Sequence, residues 1–284
     1  MIDILKADIY RLHHSKMIYT ALAGAVVLAG LVVVPVGGGA MVGLMLQPYL
    51  TGSIPGVMTG AESLRYLLWG TSSFAYLVIL IVLPVAAGLF SSGTIRNSLA
   101  AGIPRIKLYL SAWIISCGLS VAGYAAYLGS GVGLATLTHG PGDWAHELAL
   151  LSPALIILAA VSALVTMVAL TSIGVALAFV LRNATAGAVT FVVLVFLPVV
   201  LDAAAKVTNG YPDVTVAGIK TDISGLVSMP FYFFFPSGMM MSNQLHPAMN
   251  ISAWAGQWSL VVGVVWISLA TLAGMVAFRR REFR

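Results

Sequence analysis

The chain has 284 residues, 60% of them hydrophobic and only 8% charged, where an ordinary soluble domain carries about 25% charged residues. So few charges cannot cover a core of this size, and the apolar residues fall in long uninterrupted blocks, which excludes a water-soluble domain. The net charge of +5 does not point to nucleic acid, because the basic residues sit between apolar blocks instead of forming a patch with interleaved aromatics. The expected fold is an all-α integral membrane protein in one domain, residues 1–284: an N-terminal interfacial amphipathic helix plus six transmembrane helices, both termini cytoplasmic.

Segment 1–16 comes first. Ile2, Leu5, Ile9 and Leu12 recur at helical spacing, with Asp3, Lys6, Asp8 and Arg11 on other faces. That pattern predicts a helix lying in the membrane interface, its Lys and Arg reaching lipid phosphates. The plainer alternative is a basic flank that orients the first span. The start does not read as a cleavable signal peptide, since the first apolar block comes late, is too long and lacks a following cleavage site. Six spans follow, at about 17–36, 67–90, 108–135, 154–181, 186–201 and 258–278. The fifth is at the lower limit of length for a crossing. Pro84 and Pro198 fall inside spans and are expected to kink them, which membrane helices tolerate because neighbours satisfy the freed carbonyls. Cys117, the lone cysteine, lies in the third span and allows no disulfide within one chain.

The basic residues set the orientation. With both termini inside, Lys6, Arg11, Lys16, Arg96, Arg105, Lys107, Arg182, Arg279, Arg280, Arg281 and Arg284 are cytoplasmic, 11 of 14. Arg65, Lys206 and Lys220 are left outside. Shifting the topology by one span would destroy that bias. Two long segments fall outside, residues 37–66 and 202–257. The second contains the apolar piece Met229-Pro230-Phe231-Tyr232-Phe233-Phe234-Phe235-Pro236, bracketed by prolines and too short to cross. It is expected to be re-entrant or to lie at the outer interface.

Most cytoplasmic connections are minimal, and 182–185 is only Arg182-Asn183-Ala184-Thr185. The loop 91–107 is different. Ile95 and Leu99 share a helical face, with Arg96 and Asn97 beside them. Gly93-Thr94 can open a short helix with Thr94 as cap, Gly102 can close it, and Pro104 can start the next. The result is a short, basic, amphipathic helix suited to docking on a partner, or, in the plainer reading, an orienting loop with no partner.

Gly-Thr-Ile-Arg-Asn from Gly93, then Gly-Ile-Pro-Arg from Gly102, then Lys107-Leu108-Tyr109 resembles the coupling-helix region of ATP-binding-cassette type-2 exporter permeases. The likeness is to the bacterial group that exports, or confers immunity to, peptides such as lantibiotics. The amphipathic start, the six spans and the basic Phe278-Arg279-Arg280-Arg281 terminus fit as well. The chain departs from the family where an acid often precedes the Gly-Thr pair: here the stretch reads Gly88-Leu89-Phe90-Ser91-Ser92.

The resemblance implies a bacterial plasma-membrane permease that pairs with a second copy of itself and two copies of a separate cytoplasmic ATPase, which would bind ATP and Mg. Gly93, Thr94, Ile95, Arg96, Asn97, Leu99, Gly102 and Arg105 would form the main ATPase-coupling contact, and Arg182 and Asn183 a smaller one. Thr71, Phe74, Phe191 and Phe196 would be pathway positions, with helix packing as the plain alternative. No Walker A loop is present, so this chain is not expected to be an enzyme or to bind a cofactor.

Other chemistry finds little support. His139, Asp143, His146 and Glu147 are the external cluster of metal-ligand types, but His146 and Glu147 are adjacent and diverge on a helix. The centres of the spans carry no Asp, Glu, Lys, Arg or His, the residues that relay protons or bind coupling ions in many transporters. The expected substrate is therefore hydrophobic or amphipathic: a peptide, bacteriocin or drug. The contrasting expectation is an ATP-independent, channel-like or scaffold membrane protein.

Overall fold

The computed structural model describes residues 2–14, 16–33, 59–69, 94–150, 153–181, 183, 185–194, 213–216, 219–222, 234–236 and 253–280. Their regular elements are helical with one exception. In chain order the helices are α1 (Ile2–His13), α2 (Lys16–Val33), α3 (Gly60–Trp69), α4 (Thr94–Ala100), α5 (Arg105–His139), α6 (Trp144–Leu150), α7 (Pro153–Leu181), α8 (Thr185–Leu194) and α9 (Ala253–Arg280). The exception, absent from the all-α expectation, is an antiparallel hairpin of β1 (Asp213–Val216) and β2 (Ile219–Asp222), in which Val216 faces Ile219 and Asp213 faces Asp222. The sequence Asp-Val-Thr-Val, two residues, Ile-Lys-Thr-Asp carries the alternation and spacing of a short hairpin.

Among the described residues three helices are long and apolar enough to cross a bilayer, within α5, α7 and α9. They correspond to the third, fourth and sixth expected spans. α5 runs beyond the expected 108–135 at both ends, and α9 beyond 258–278. At 35 residues α5 is about 50 Å long, well over the ~30 Å hydrocarbon core, so it projects past it. α2 and α8 are shorter apolar helices at the first and fifth expected spans, and the rest of both spans lies outside the described residues. So does the second span beyond Trp69. The end of the expected outer segment 37–66 is already helical, as the first turns of α3.

Helices cross lipid because each satisfies its own backbone, leaving side chains to decide the packing. α7 is central. Every residue from Ala169 to Ala176 is buried, a run of small and branched residues enclosed on all sides. α9 lies along it, and Val261, Val264, Val265, Leu269, Leu272 and Val276 remain exposed on its far side. Val26 and Val27 of α2 and Val189 and Val193 of α8 are exposed too. Apolar surface on this scale is what lipid covers. The fold is that of a helical membrane protein.

Hydroxyls and small residues line the helix contacts. Trp113 Nε1 donates to Ser172 Oγ at 2.8 Å, and Ser120 and Thr171 share a 2.6 Å hydrogen bond, tying α5 to α7. α8 packs on α7 at Gly187, where a Cβ would stand 2.8 Å from Ala178 Cα. Such close backbone approach replaces the hydrophobic drive that lipid does not supply. At one end of the bundle, Gly60 and Ala61 amides donate to the Gly140 and Pro141 carbonyls at 3.0 Å, joining α3 to the end of α5. The start of α3 is fixed by Glu62, whose Oε2 accepts from the Thr59 amide at 3.0 Å and hydroxyl at 3.1 Å.

Three residues of the proline-bracketed piece, Phe234–Pro236, lie between α7 and α9. Phe235 is buried against the Trp266 ring, with centroids 5.8 Å apart. Thr166 Oγ1 donates to the Pro236 carbonyl at 3.4 Å, and Trp266 Nε1 donates to the Phe234 carbonyl at 2.5 Å. Thr166 and Trp266 sit near the middle of their helices. Backbone carbonyls left open at that depth need protein donors, which Trp266 and Thr166 supply here.

Candidate functional site

The opposite end of the bundle gathers the basic residues. α4 is a seven-residue helix there, too short to persist on its own hydrogen bonds. Two features hold it. Its C-terminus closes in a Schellman motif: the Ile103 amide donates to the Ser98 carbonyl and the Gly102 amide to the Leu99 carbonyl, both at 3.0 Å, with Gly102 at φ 80°. Its apolar face is buried within this chain: Ile95 is 3% exposed, and Leu99 and Ile103 pack against the same core. The face expected to enter a partner's groove is thus occupied by the chain's own core. Arg96, Asn97, Ala100 and Ala101 remain exposed.

Pro104 follows in extended conformation (φ −62°, ψ 134°), and its carbonyl accepts from the Lys107 and Leu108 amides. It is therefore the N-cap of α5, one position before the helical start expected of it. Arg105 Nη1 donates to the Arg279 carbonyl at 3.3 Å, placing a cation on the negative end of α9. Behind it Tyr109, Phe179 and Phe278 stack edge to face, with centroids 5.1 and 5.0 Å apart, bringing α5, α7 and α9 together. Gly274 leaves the space for the Tyr109 hydroxyl, which a Cβ would strike. Ser111 Oγ donates to Asp8 Oδ2 at 2.8 Å and fastens α1 to the same turns of α5.

Asn183 belongs to this end by its place between α7 and α8. Its Oδ1 accepts from the Thr185 and Ala186 amides at 2.9 and 3.3 Å, and its carbonyl accepts from Gly187. It is the N-cap of α8. Gly93 and Arg182 lie outside the described residues, as do the pathway candidates Thr71, Phe74 and Phe196. Phe191 is buried in the core on α8.

Lys6, Lys16, Arg96, Lys107, Arg279 and Arg280 are all exposed at this end. The far end carries Glu62, Asp143 and Glu147 among its described residues. Asp143 Oδ1 accepts from the Ala145 and His146 amides and caps α6, and His139 Nδ1 lies 2.8 Å from Thr138 Oγ1. Asp143 and His139 are engaged locally, and among the described residues no group of His, Cys, Asp and Glu side chains converges on one point. The basic end presents exposed, charged hydrogen-bond donors. No protein-family model matches the chain, and no curated protein matches it in sequence.

Proposed function

We propose that the chain is the permease subunit of an ATP-driven exporter in a bacterial plasma membrane. It has six spans and both termini in the cytoplasm, and it moves a hydrophobic or amphipathic peptide, bacteriocin or drug outward. Two copies pair with two ATPase subunits, and the substrate passes between the permeases. The observation that carries the reading is α4: an anchored, positively charged helix that exposes Arg96 and Asn97 and continues within four residues into α5. A partner's carboxylates pair with Arg96, and a push on α4 is delivered to α5 through the short turn that joins them and from α5 to α9 through Arg105. The helices answer as rigid bodies.

The test is co-purification from native membranes. Wild-type protein is expected to bring down an ATPase with a Walker A motif, and Arg96→Glu to lose it while remaining in the membrane. If no such ATPase is retained, or if Arg96→Glu leaves association and transport unchanged, the chain is better read as an ATP-independent channel-like or scaffold protein.

A further inference from the structure

The elbow between α1 and α2 is built more tightly than a plain connection needs. One side of α1 rests on the protein: Leu5 packs toward the core and Asp8 holds Ser111. The opposite side carries Lys6, Tyr10 and His13 at i, i+4 and i+7, with His14 beside them, all exposed, Tyr10 to 68%. Ile9, 52% exposed, lies on the flank between.

The turn itself is bonded. His14 Nδ1 lies 2.9 Å from the Tyr10 carbonyl oxygen, which only accepts, so Nδ1 donates in this contact and Nε2 of the neutral ring is an acceptor for a hydroxyl. Tyr19 OH donates to the His13 carbonyl at 3.2 Å from the first turn of α2. The rings of Tyr10 and His14, His13 and His14, and His13 and Tyr19 stand 4.2, 5.5 and 6.3 Å apart. Lys6 and Lys16 flank this cluster of two imidazoles and two phenols.

We infer that the elbow binds the headgroup of an anionic phospholipid. α2 becomes apolar directly after Lys16 and exposes Val26 and, to 61%, Val27. The elbow therefore lies where the chain leaves hydrocarbon, at the level of phosphate. The lysines supply charge there, the Tyr10 hydroxyl can donate to a phosphate oxygen, and His14 Nε2 can accept from a headgroup hydroxyl such as those of a glycerol lipid. Asp8, the acid nearest the cluster on α1, accepts from Ser111 on the protein side. Ile9 and the valines of α2 continue the site toward acyl chains, which fits a lipid and not a free anion. The inference rests on the membrane-protein fold alone and stands apart from the ATP-coupled reading.

Full-length protein in detergent is titrated with dioctanoyl phosphatidylglycerol or dioctanoyl phosphatidylcholine, and occupancy is read by native mass spectrometry. The glycerol lipid is expected to bind about tenfold tighter, and Lys6→Gln with Lys16→Gln to lower its affinity about fivefold for each lysine. His13→Gln with His14→Gln is expected to weaken the glycerol lipid without changing the choline lipid. Lys107→Gln with Arg280→Gln, the same charge change at the same end, is expected to leave the preference within about twofold. Three results would each overturn the site: no preference for the glycerol lipid, an equal loss in the Lys107/Arg280 variant, or displacement of the lipid by millimolar inorganic phosphate.

Discussion

Ile95 sits on a seven-residue helix at the edge of the bundle and is nonetheless 3% exposed. Truncating a buried isoleucine to alanine costs about 2–5 kcal/mol, more than so short a helix recovers from its own hydrogen bonds. Ile95→Ala is therefore expected to release α4 while leaving the spans assembled. Hydrogen exchange would show amides 95–103 losing protection and those of α5 keeping it. Gly102→Ala attacks the same helix from its C-terminus: at φ 80° a Cβ costs about 1–2 kcal/mol, although the space around it is open. The expected readout is again faster exchange over 95–103, smaller than for Ile95→Ala. Asn183→Ala removes the N-cap of α8, at about 1 kcal/mol, and should lower the protein's Tm without detaching α4.

Among the elements, α4 was legible because its punctuation is strong: a Gly-Thr pair, an i, i+4 apolar pair and a closing glycine. What it packs on was not legible, since periodicity reports that a face is apolar and never whose core receives it. α3 went unseen although Thr59-Gly60-Ala61-Glu62 has the spacing of a capping box, because the surrounding glycines and prolines read as loop. The aromatic piece 229–236 advertised its length and its prolines, but its partners Thr166 and Trp266 are distant in sequence and ordinary in type. Trp266→Phe keeps the ring contact with Phe235 and removes the donor to the Phe234 carbonyl. A loss of about 0.6 kcal/mol, the usual worth of such a bond in a membrane protein, is expected. Denaturation in mixed detergent would measure it, and Thr166→Val should cost less additional stability in the Trp266→Phe background, because both donors serve one segment.

For the molecule as a whole, the contacts put α1, α4, the start of α5 and the end of α9 at one end, and Thr59–Ala61 with Gly140–Pro141 at the other. In the proposed orientation the first of these faces the cytoplasm, as the charge bias in the sequence predicts. In a Cys117→Ser background, Asn97→Cys and Arg280→Cys should be modified only when a charged maleimide reaches the inner face. Leu137→Cys, exposed near the opposite end, should react from outside. Labelling of Asn97→Cys and Leu137→Cys from the same side would contradict the proposed orientation. The three spans matched by α5, α7 and α9 were readable because lipid imposes one length on every span. Packing between spans was not, because serines, glycines and alanines carry the contacts and look alike in a sequence this apolar.

Phe234–Pro236 leaves the ribosome before α9, yet one wall of its groove and the donor to the Phe234 carbonyl belong to α9. During synthesis the segment can meet Thr166 of α7 but cannot complete its groove until α9 has been inserted. Its seating thus waits for α9, and a chain cut short before Ala253 would leave Phe235 without the ring that covers it.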